Sequence, residues 1–267
     1  MTEAATRPGP GTPCWASLMV HDLTASQRFY AALFDWRYEP GPQRRLGPYV
    51  QAERDGVPVA GLGEMASGMG QRLVSWLPYL ATEDADATAT LIRDCGGTVA
   101  VGPLDVEPSG RLVIAADPLG AVFGVWQAGT HLGVPFRNAP GAPVWAELVT
   151  MDAATVGKFY SMVFGYEWQP EPALPPESDY LTIQLAGRPI VGIEGVGDAV
   201  PHDRGPYWLT YFSVTDVDAS AQRVTELGGA LRHPPQDTPF GRVAQVSDPE
   251  GAPFALIRPL EATDRNG

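Results

Sequence analysis

The stretch Phe29-Tyr30-Ala31-Ala32-Leu33-Phe34 returns as Phe159-Tyr160-Ser161-Met162-Val163-Phe164, 130 residues further along the chain. A second stretch, Asp117-Pro118-Leu119-Gly120-Ala121-Val122-Phe123, returns as Asp248-Pro249-Glu250-Gly251-Ala252-Pro253-Phe254. A period of this length indicates tandem domains, because the units of solenoid proteins are only about 20–50 residues long. The repeat also sorts residues. Those that the fold requires should occur in both copies, whereas a residue present in only one copy is free to serve function.

The chain is long enough for two domains of ordinary size, with 267 residues of which 44% are hydrophobic. We place the first domain at residues 12–128 and the second at residues 142–260. The segment between them, 129–141, contains several glycines and prolines and is predicted to be a linker.

Each copy divides again into two similar halves. In the first copy, Trp15–Val20 has the pattern of a strand, and Asp22 then begins a helix whose apolar residues recur with a period of 3.6. The pattern restarts with a strand at Leu73–Ala81 and a helix at Asp84–Asp94, which Gly96-Gly97 ends. Short strands follow each helix. The sequence therefore predicts a βαβββ module that occurs four times.

Composition excludes several classes of function. The net charge is −13, which disfavours a nucleic-acid partner, since phosphate backbones attract basic surfaces. No apolar run approaches the roughly 18 residues of a membrane helix, and the first residues lack the apolar core of a signal peptide. Cys14 and Cys95 have no cysteine counterparts in the second copy, which favours reduced thiols. We expect a cytoplasmic protein.

Several short motifs, in the same order in both copies, resemble the vicinal oxygen chelate superfamily. The motifs are Val20-His21-Asp22-Leu23 with Phe29-Tyr30, and Gly96-Gly97-Thr98-Val99 with Ala116-Asp117-Pro118-Leu119-Gly120. This superfamily includes glyoxalase I, extradiol dioxygenases and bleomycin-resistance proteins. The resemblance implies an α+β fold of two tandem domains. Each would contain two βαβββ modules that form a cup-shaped mixed sheet with helices outside.

The resemblance also implies where metal ligands would lie, on the first and last strand of each module. Counting from the motifs places these positions at Trp15, Trp76, Trp145 and Trp208, and at or near Gly61, Gly124, Gly192 and Ala255. None of these residues is a ligand for a divalent metal, which requires imidazole or carboxylate donors. We therefore predict no metal and no other cofactor.

Two interpretations of the tryptophans stay open. Trp15, Trp76, Trp145 and Trp208 are repeated residues and can simply pack the core. Alternatively, together with Trp126, they line the cups and stack on a flat apolar ligand.

Glu147 is the strongest candidate among residues present in one copy only. It follows Trp145 by two residues and so shares its side of the strand, whereas its counterpart is Ser17. It is either a structural carboxylate or a functional one, acting as a ligand anchor or a general acid/base. Glu194 is a weaker candidate, with Gly63 as its counterpart.

The remaining polar candidates favour structural roles. The four histidines, His21, His131, His202 and His233, have no histidine counterparts and are expected at the surface. Arg111 and Arg242 match across the copies, and we expect them to pair with Asp117 and Asp248.

The sequence leaves three functional hypotheses. The first is metal-free binding or sequestration of a hydrophobic, aromatic small molecule, such as an antibiotic, a toxic metabolite or a natural-product intermediate. The second is a metal-independent enzyme with Glu147 as general acid/base on an aromatic or polyketide-type substrate. The third is a metal-dependent glyoxalase-like or dioxygenase-like enzyme with Glu147 and Glu194 as unusual ligands. We expect a monomer in which the two copies form a covalent pseudo-dimer.

Overall fold

The computed structural model describes residues 7–41, 47–66 and 74–260. These residues form four α-helices and sixteen β-strands. The helices are α1 Leu23–Phe34, α2 Ala85–Asp94, α3 Ala153–Phe164 and α4 Val217–Glu226. The strands of the first repeat are β1 Pro13–Val20, β2 Arg37–Pro40, β3 Tyr49–Arg54, β4 Val57–Glu64, β5 Trp76–Thr82, β6 Thr98–Val106, β7 Gly110–Ala116 and β8 Val122–Ala128. Those of the second repeat are β9 Pro143–Thr150, β10 Glu167–Pro170, β11 Tyr180–Leu185, β12 Arg188–Gly195, β13 Tyr207–Ser213, β14 Ala230–Thr238, β15 Gly241–Ser247 and β16 Pro253–Pro259.

All four α-helices begin after an aspartate. Asp22, Asp84, Asp152 and Asp216 have extended backbone angles, and each side chain accepts a hydrogen bond from a backbone N–H of the first helical turn. An aspartate in this position satisfies a donor that the helix itself leaves unpaired. The predicted helix starts at Asp22 and Asp84 are therefore confirmed.

The strands form two mixed eight-stranded sheets, one in each repeat. The orders are β2-β3-β4-β1-β5-β8-β7-β6 and β10-β11-β12-β9-β13-β16-β15-β14. Within each module the first strand pairs parallel with the last, as β1 does with β4, and the other pairs are antiparallel. The predicted α+β class with two βαβββ modules in each repeat is confirmed. The short strands β2 and β10 lack a clear sequence signal. Leu73, at the predicted start of β5, lies outside the described residues.

The two compact units of the chain do not correspond to the two sheets. The contacts of the Cα atoms define two units, and each unit contains one module from each repeat. Unit 1 holds the described residues of Met1–Trp15, Leu77–Pro135 and Ala146–Trp208. Unit 2 holds those of Ala16–Trp76, Phe136–Trp145 and Leu209–Gly267. The boundaries predicted at 12–128, 129–141 and 142–260 follow the sheets and stay a prediction as domain limits.

An aromatic core in unit 2 joins the two repeated motifs. Tyr30 is fully buried, its O–H donates to Asp248 Oδ2 at 2.9 Å, and it accepts from Trp76 Nε1–H at 3.0 Å. Asp248 Oδ1 in turn accepts from the backbone N–H groups of Glu250 and Ala252. Thus the Phe-Tyr helix of the first repeat binds the Asp-Pro turn of the second.

Unit 1 contains the reciprocal arrangement. Tyr160 is buried, and its O–H lies 3.4 Å from Asp117 Oδ2. Asp117 Oδ1 accepts from three backbone N–H groups of its own turn, those of residues 119–121. Burial raises the pKa of both Asp117 and Asp248. The two aspartates therefore build the turn with one oxygen and hold the tyrosine with the other.

The predicted pairing of the matched arginines with these aspartates is wrong. Arg111 binds Asp86 and Asp105, and Arg242 makes equivalent ion pairs with exposed aspartates of its own module. Asp117 and Asp248 are each only 3% exposed, so an arginine would have to lose its water to reach them. The partly exposed guanidinium groups on β7 and β15 instead bind carboxylates at the surface, where they keep their water.

Among the described residues, no helix is long and apolar enough to cross a membrane. Cys14 and Cys95 are both free thiols, and burial raises the pKa of Cys14 to about 12. The predicted reduced state of both cysteines agrees with this arrangement, and the cytoplasmic location stays a prediction.

Candidate functional site

The parallel strand pairs define one equivalent position in each of the four modules. At each position a residue of the module's first strand lies opposite a glycine or alanine of its last strand. The four pairs are Ser17 with Gly61, Tyr79 with Gly124, Glu147 with Gly192, and Tyr211 with Ala255. The glycines and the alanine are the positions that the resemblance assigned to metal ligands. Their partners are not the tryptophans but residues two or three positions further along each first strand.

Trp76 and Trp208 pack in the interior of the two units. Trp76 has no exposed surface and donates to Tyr30, and its ring lies 5.0 Å from that of Phe212. Trp208 is 2% exposed and meets Tyr160 edge to face at 5.7 Å. The side chains of both tryptophans lie on the face of the strand that packs against the core. Tyr79 and Tyr211 are three residues further along and therefore lie on the opposite face. These placements do not fit the predicted lining of a cup.

Trp15 and Trp126 lie together in unit 1, with His131 against both. The ring of His131 meets Trp15 edge to face at 4.7 Å and lies 5.8 Å from Trp126. Trp126 Nε1–H donates to the carbonyl oxygen of His131 at 2.9 Å. The expectation of a surface histidine is therefore wrong for His131, because its ring is packed against two indoles, and burial lowers its pKa. The other three histidines are exposed.

Trp145 and Glu147 lie on β9, on the side of the strand opposite to Ala146 and Leu148. Trp145 is half-buried, whereas Ala146 and Leu148 are completely buried. Glu147 is buried as well, with 7% of its surface exposed. A carboxylate at such a position requires hydrogen-bonding partners to offset the loss of water.

Tyr180 provides one of these partners. Its O–H donates to Glu147 Oε2 at 2.8 Å across β12, on which Gly192 lies opposite Glu147 and Glu194 lies opposite Tyr180. Tyr180 is itself only 7% exposed. Because glycine carries no side chain, the tyrosine can reach across the intervening strand to the carboxylate.

The first repeat has the corresponding pair in unit 2. Ser17 Oγ and the Tyr49 hydroxyl are 3.2 Å apart, and either oxygen can be the donor. Tyr49 stands in the first repeat where Tyr180 stands in the second, and Ser17 stands where Glu147 does. A Cβ atom built at Gly61 would overlap with the Tyr49 hydroxyl. The space beside Gly61 is thus already occupied by a phenol.

Tyr79 fills the equivalent position in the second module. A Cβ atom at Gly124 would overlap with the ring of Tyr79, so this ring lies directly on the glycine backbone. In the fourth module, Tyr211 lies opposite Ala255, and both are buried.

The donor set at these positions does not fit a metal ion. Serine, tyrosine, glycine and alanine occupy seven of the eight places, and Glu147 is the single carboxylate. Across residues 7–41, 47–66 and 74–260, no group of three His, Cys, Asp or Glu side chains could hold a metal ion. Glu194, the second carboxylate considered, is half-buried on β12 and opposite Tyr180.

Sequence reasoning missed Tyr49, Tyr79 and Tyr180. The repeat contains all three. Tyr49 and Tyr180 are 131 residues apart, an offset that the Asp-Pro motifs share, and Tyr79 has Tyr211 as its counterpart.

Known proteins resemble this chain over almost its whole length. The family profile of the glyoxalase-like domain matches residues 145–257. The anthracycline biosynthesis protein DauV of Streptomyces sp. (strain C5) is 35% identical over 277 residues, with 96% of each chain covered.

Solved structures agree on the fold. The 2,3-dioxygenase LapB from Pseudomonas sp. KL28 superposes with a TM-score of 0.61 at 16% identity, covering 95% of this chain and 96% of that one. The Mn(II)-bound glyoxalase from Novosphingobium aromaticivorans gives 0.60 at 16% identity, covering 94% and 85%. At such low identity, these structures show a shared fold and no more.

Proposed function

Since this chain is 32% identical over 253 residues to the putative glyoxylase CFP32 of Mycobacterium tuberculosis and belongs to the vicinal oxygen chelate superfamily, we propose that it binds a hydrophobic, aromatic small molecule without a metal. The setting that we propose is natural-product biosynthesis, where the protein would act as a pathway accessory or sequester a product. This is the first of the three hypotheses that the sequence left open.

One observation carries the proposal: phenol rings fill the space beside the glycines where metal ligands would stand. Tyr49 occupies the space beside Gly61, and Tyr79 occupies the space beside Gly124. Aromatic rings offer a large apolar surface at fixed geometry, and each offset or edge-to-face pair adds about 0.5–1.5 kcal/mol beyond area burial. These positions do not suit a metal ion, and the aromatic rings that occupy them support the proposal of a flat apolar ligand.

The natural-product setting is supported by sequence similarity. The relative with 35% identity has a name that assigns it to anthracycline biosynthesis, and a second such protein from Streptomyces peucetius is 34% identical over 267 residues. Both alignments cover more than nine-tenths of this chain.

The test combines metal analysis with ligand titration. We expect the purified protein to carry no stoichiometric divalent metal, and a chelator to leave both its unfolding midpoint and its ligand affinity unchanged. Titration with planar compounds of two to four fused rings should change the intrinsic tryptophan fluorescence saturably. About one metal ion per repeat, together with loss of stability after chelation, would overturn the metal-free proposal.

The buried pair of Glu147 and Tyr180 favours a second candidate function, a metal-independent enzyme. A buried carboxylate is a candidate general base, and a general base typically contributes about 10²–10⁴-fold to a rate. The replacement Glu147→Gln separates the candidates. In a catalyst, turnover should fall by about this factor while ligand binding largely survives. In a binding protein, affinity should fall by no more than the ~1.5–3 kcal/mol of a hydrogen bond to a charged group.

A further inference from the structure

The first residues of the linker, 129–135, form a strap in unit 1 that places the ring of His131 against Trp15 and Trp126. The strap contains no helix or strand, and none of its residues is fully buried. Segments with little buried surface open locally at a small fraction of the free energy of global unfolding. The strap is therefore the part of this aromatic cluster that can move while the sheet stays folded.

Hydrogen bonds fasten the strap at both ends. Near its start, the backbone N–H groups of residues 129–131 donate to two carbonyl oxygens of the turn between β6 and β7. Thr130 Oγ1 donates to one of these, the carbonyl oxygen of Pro108, at 3.0 Å. Near its end, the N–H of Val134 donates to the carbonyl oxygen of Cys14 at 2.6 Å. These bonds hold the strap closed without involving the imidazole of His131.

The ring of His131 is packed between indoles and is not held by polar bonds. It lies 4.7 Å from the ring of Trp15 and 5.8 Å from that of Trp126, and no described residue hydrogen-bonds to its nitrogens. Trp15 is only 7% exposed, whereas its equivalent in the second repeat, Trp145, is half-buried. A planar ring in edge contact with two indoles occupies the place that an aromatic ligand would take.

The strap also satisfies the polar atom of this cluster. Trp126 Nε1–H donates to the backbone carbonyl oxygen of His131 at 2.9 Å, and Trp126 is only 8% exposed. A buried indole N–H requires an acceptor, because an unpaired donor costs free energy. His131 thus presents Trp126 with an aromatic ring and a carbonyl oxygen at once. A ligand that replaces the strap should supply both groups.

We propose that the strap closes a binding site for aryl carbonyl compounds in unit 1, where a ligand ring displaces the ring of His131 and a ligand carbonyl accepts from Trp126. This inference rests on the proposed function, because it names the ligand class, the place and the regulation of that aromatic binding. The strap acts as an internal competitor. The apparent dissociation constant is the intrinsic one divided by the fraction of molecules with an open strap. A change that loosens the strap and leaves the indoles intact should therefore tighten binding.

The first experiment compares 2-acetylnaphthalene with 2-ethylnaphthalene by equilibrium dialysis against the full-length protein. The two probes have nearly the same shape, and only the ketone has a carbonyl acceptor. We expect the ketone to bind at least about fivefold more tightly, a ratio that corresponds to ~1 kcal/mol, the net contribution of one hydrogen bond.

Nuclear magnetic resonance of the histidine rings shows whether the strap opens. In the free wild-type protein, the two indoles should shift the ring protons of His131 away from those of the three exposed histidines. Binding of the ketone should move these signals toward the positions of the exposed histidines. His131→Ala identifies the signals by their loss.

Two variants weaken the strap as a competitor. Thr130→Val removes one hydrogen bond to Pro108 and leaves His131 and both indoles in place, so the affinity for the ketone should rise about two- to fivefold. His131→Ala removes the competing ring and should raise the affinity about tenfold or more. The matched control is Thr90→Val, which removes a hydroxyl bond of the same 3.0 Å length on α2 of the same unit and should keep the wild-type affinity.

Several outcomes would overturn the inference but leave the proposed function intact. One is binding of the ketone to the wild-type protein with unchanged His131 signals, since the ligand would then lie elsewhere. Another is equal affinity for the two probes. A third is tighter binding in His131→Ala but not in Thr130→Val, which would indicate a gap made by the substitution rather than a site closed by the strap. Circular dichroism and urea unfolding confirm that each variant is folded.

Failure of both probes to bind would also overturn the inference. The proposed function fails with it only if the fused-ring compounds of its own fluorescence titration do not bind either.

Discussion

At the scale of single residues, His131 shows how a linker side chain can become part of a packed cluster. The ring lies against Trp15 and Trp126, and its backbone carbonyl accepts from the Trp126 indole. The backbone N–H groups of His131 and Gly129 both donate to the carbonyl oxygen of Ser109, and these bonds hold the start of the linker. Because burial disfavours the charged imidazolium, the pKa of His131 is lowered from 6.5.

We therefore expect His131 to make folding stability depend on pH. The unfolded chain takes up a proton near pH 6.5, whereas the folded protein resists protonation, so stability should fall as the pH decreases from 7.5 to 5.5. Urea unfolding, followed by tryptophan fluorescence, should show a smaller loss over this interval in His131→Gln than in the wild type. His233→Gln, at an exposed position on β14, is the control and should behave as the wild type. Identical pH profiles for all three proteins would contradict this account.

At the scale of elements, the parallel pairs β1–β4 and β5–β8 each depend on a glycine beneath a tyrosine ring. Gly61 lies under Tyr49 and Gly124 lies under Tyr79. A larger residue at either glycine would push the ring away from the strand. The glycines thus allow a tyrosine side chain to lie directly against the strand backbone.

Gly124→Ala should therefore be destabilising, by about 1–3 kcal/mol, the usual cost of overpacking. The new Cβ atom would overlap with the Tyr79 ring, which has to move. In a Tyr79→Ala background the same replacement meets no ring, and its cost should largely disappear. A double-mutant cycle from urea unfolding of the four proteins measures this coupling. Additive effects would show that the ring and the glycine do not constrain each other.

At the scale of the whole molecule, the boundaries of the compact units do not coincide with those of the sequence repeats. Each unit joins one module of the first repeat to one of the second, so each depends on residues from both halves of the chain. The hydrogen bonds Tyr30–Asp248 and Tyr160–Asp117 both join residues of different repeats. Neither unit can be completed by one repeat alone.

We expect residues 1–135 and 136–267, expressed separately, not to fold as monomers. Each half lacks both the aspartate that its own tyrosine binds and the tyrosine that its own aspartate binds. A buried polar group without its partner costs about 1–3 kcal/mol. Because Asp117 and Asp248 are equivalent, a half can regain the missing contact by forming a homodimer. Circular dichroism and analytical ultracentrifugation should show the folded state only in the mixture of the two halves or in such a dimer. A folded monomer of either half would contradict this expectation.

Most of the fold could be predicted from the sequence. The aspartates that precede the helices and the alternation within strands specify βαβββ modules, because these signals act over a few neighbouring residues. The period near 130 residues shows that the pair of modules occurs twice. The sequence also distinguishes Glu147 from its counterpart in the first copy, Ser17, and a functional role for this carboxylate stays a prediction. Strands β2 and β10 escaped prediction, since four residues without a strong apolar pattern carry too little signal.

Only the tertiary structure shows which Asp-Pro turn binds the tyrosine of which Phe-Tyr helix. Tyr30 lies 218 residues from Asp248 in sequence and 87 from Asp117, yet it binds the more distant of two equivalent turns. Local periodicity cannot distinguish them, because both turns have the same sequence pattern and only packing brings one of them to the helix. The same holds for the tryptophans. Their repetition was visible in the sequence, but whether Trp76 faces the core or a ligand depends on the side of the strand that the neighbouring helices cover.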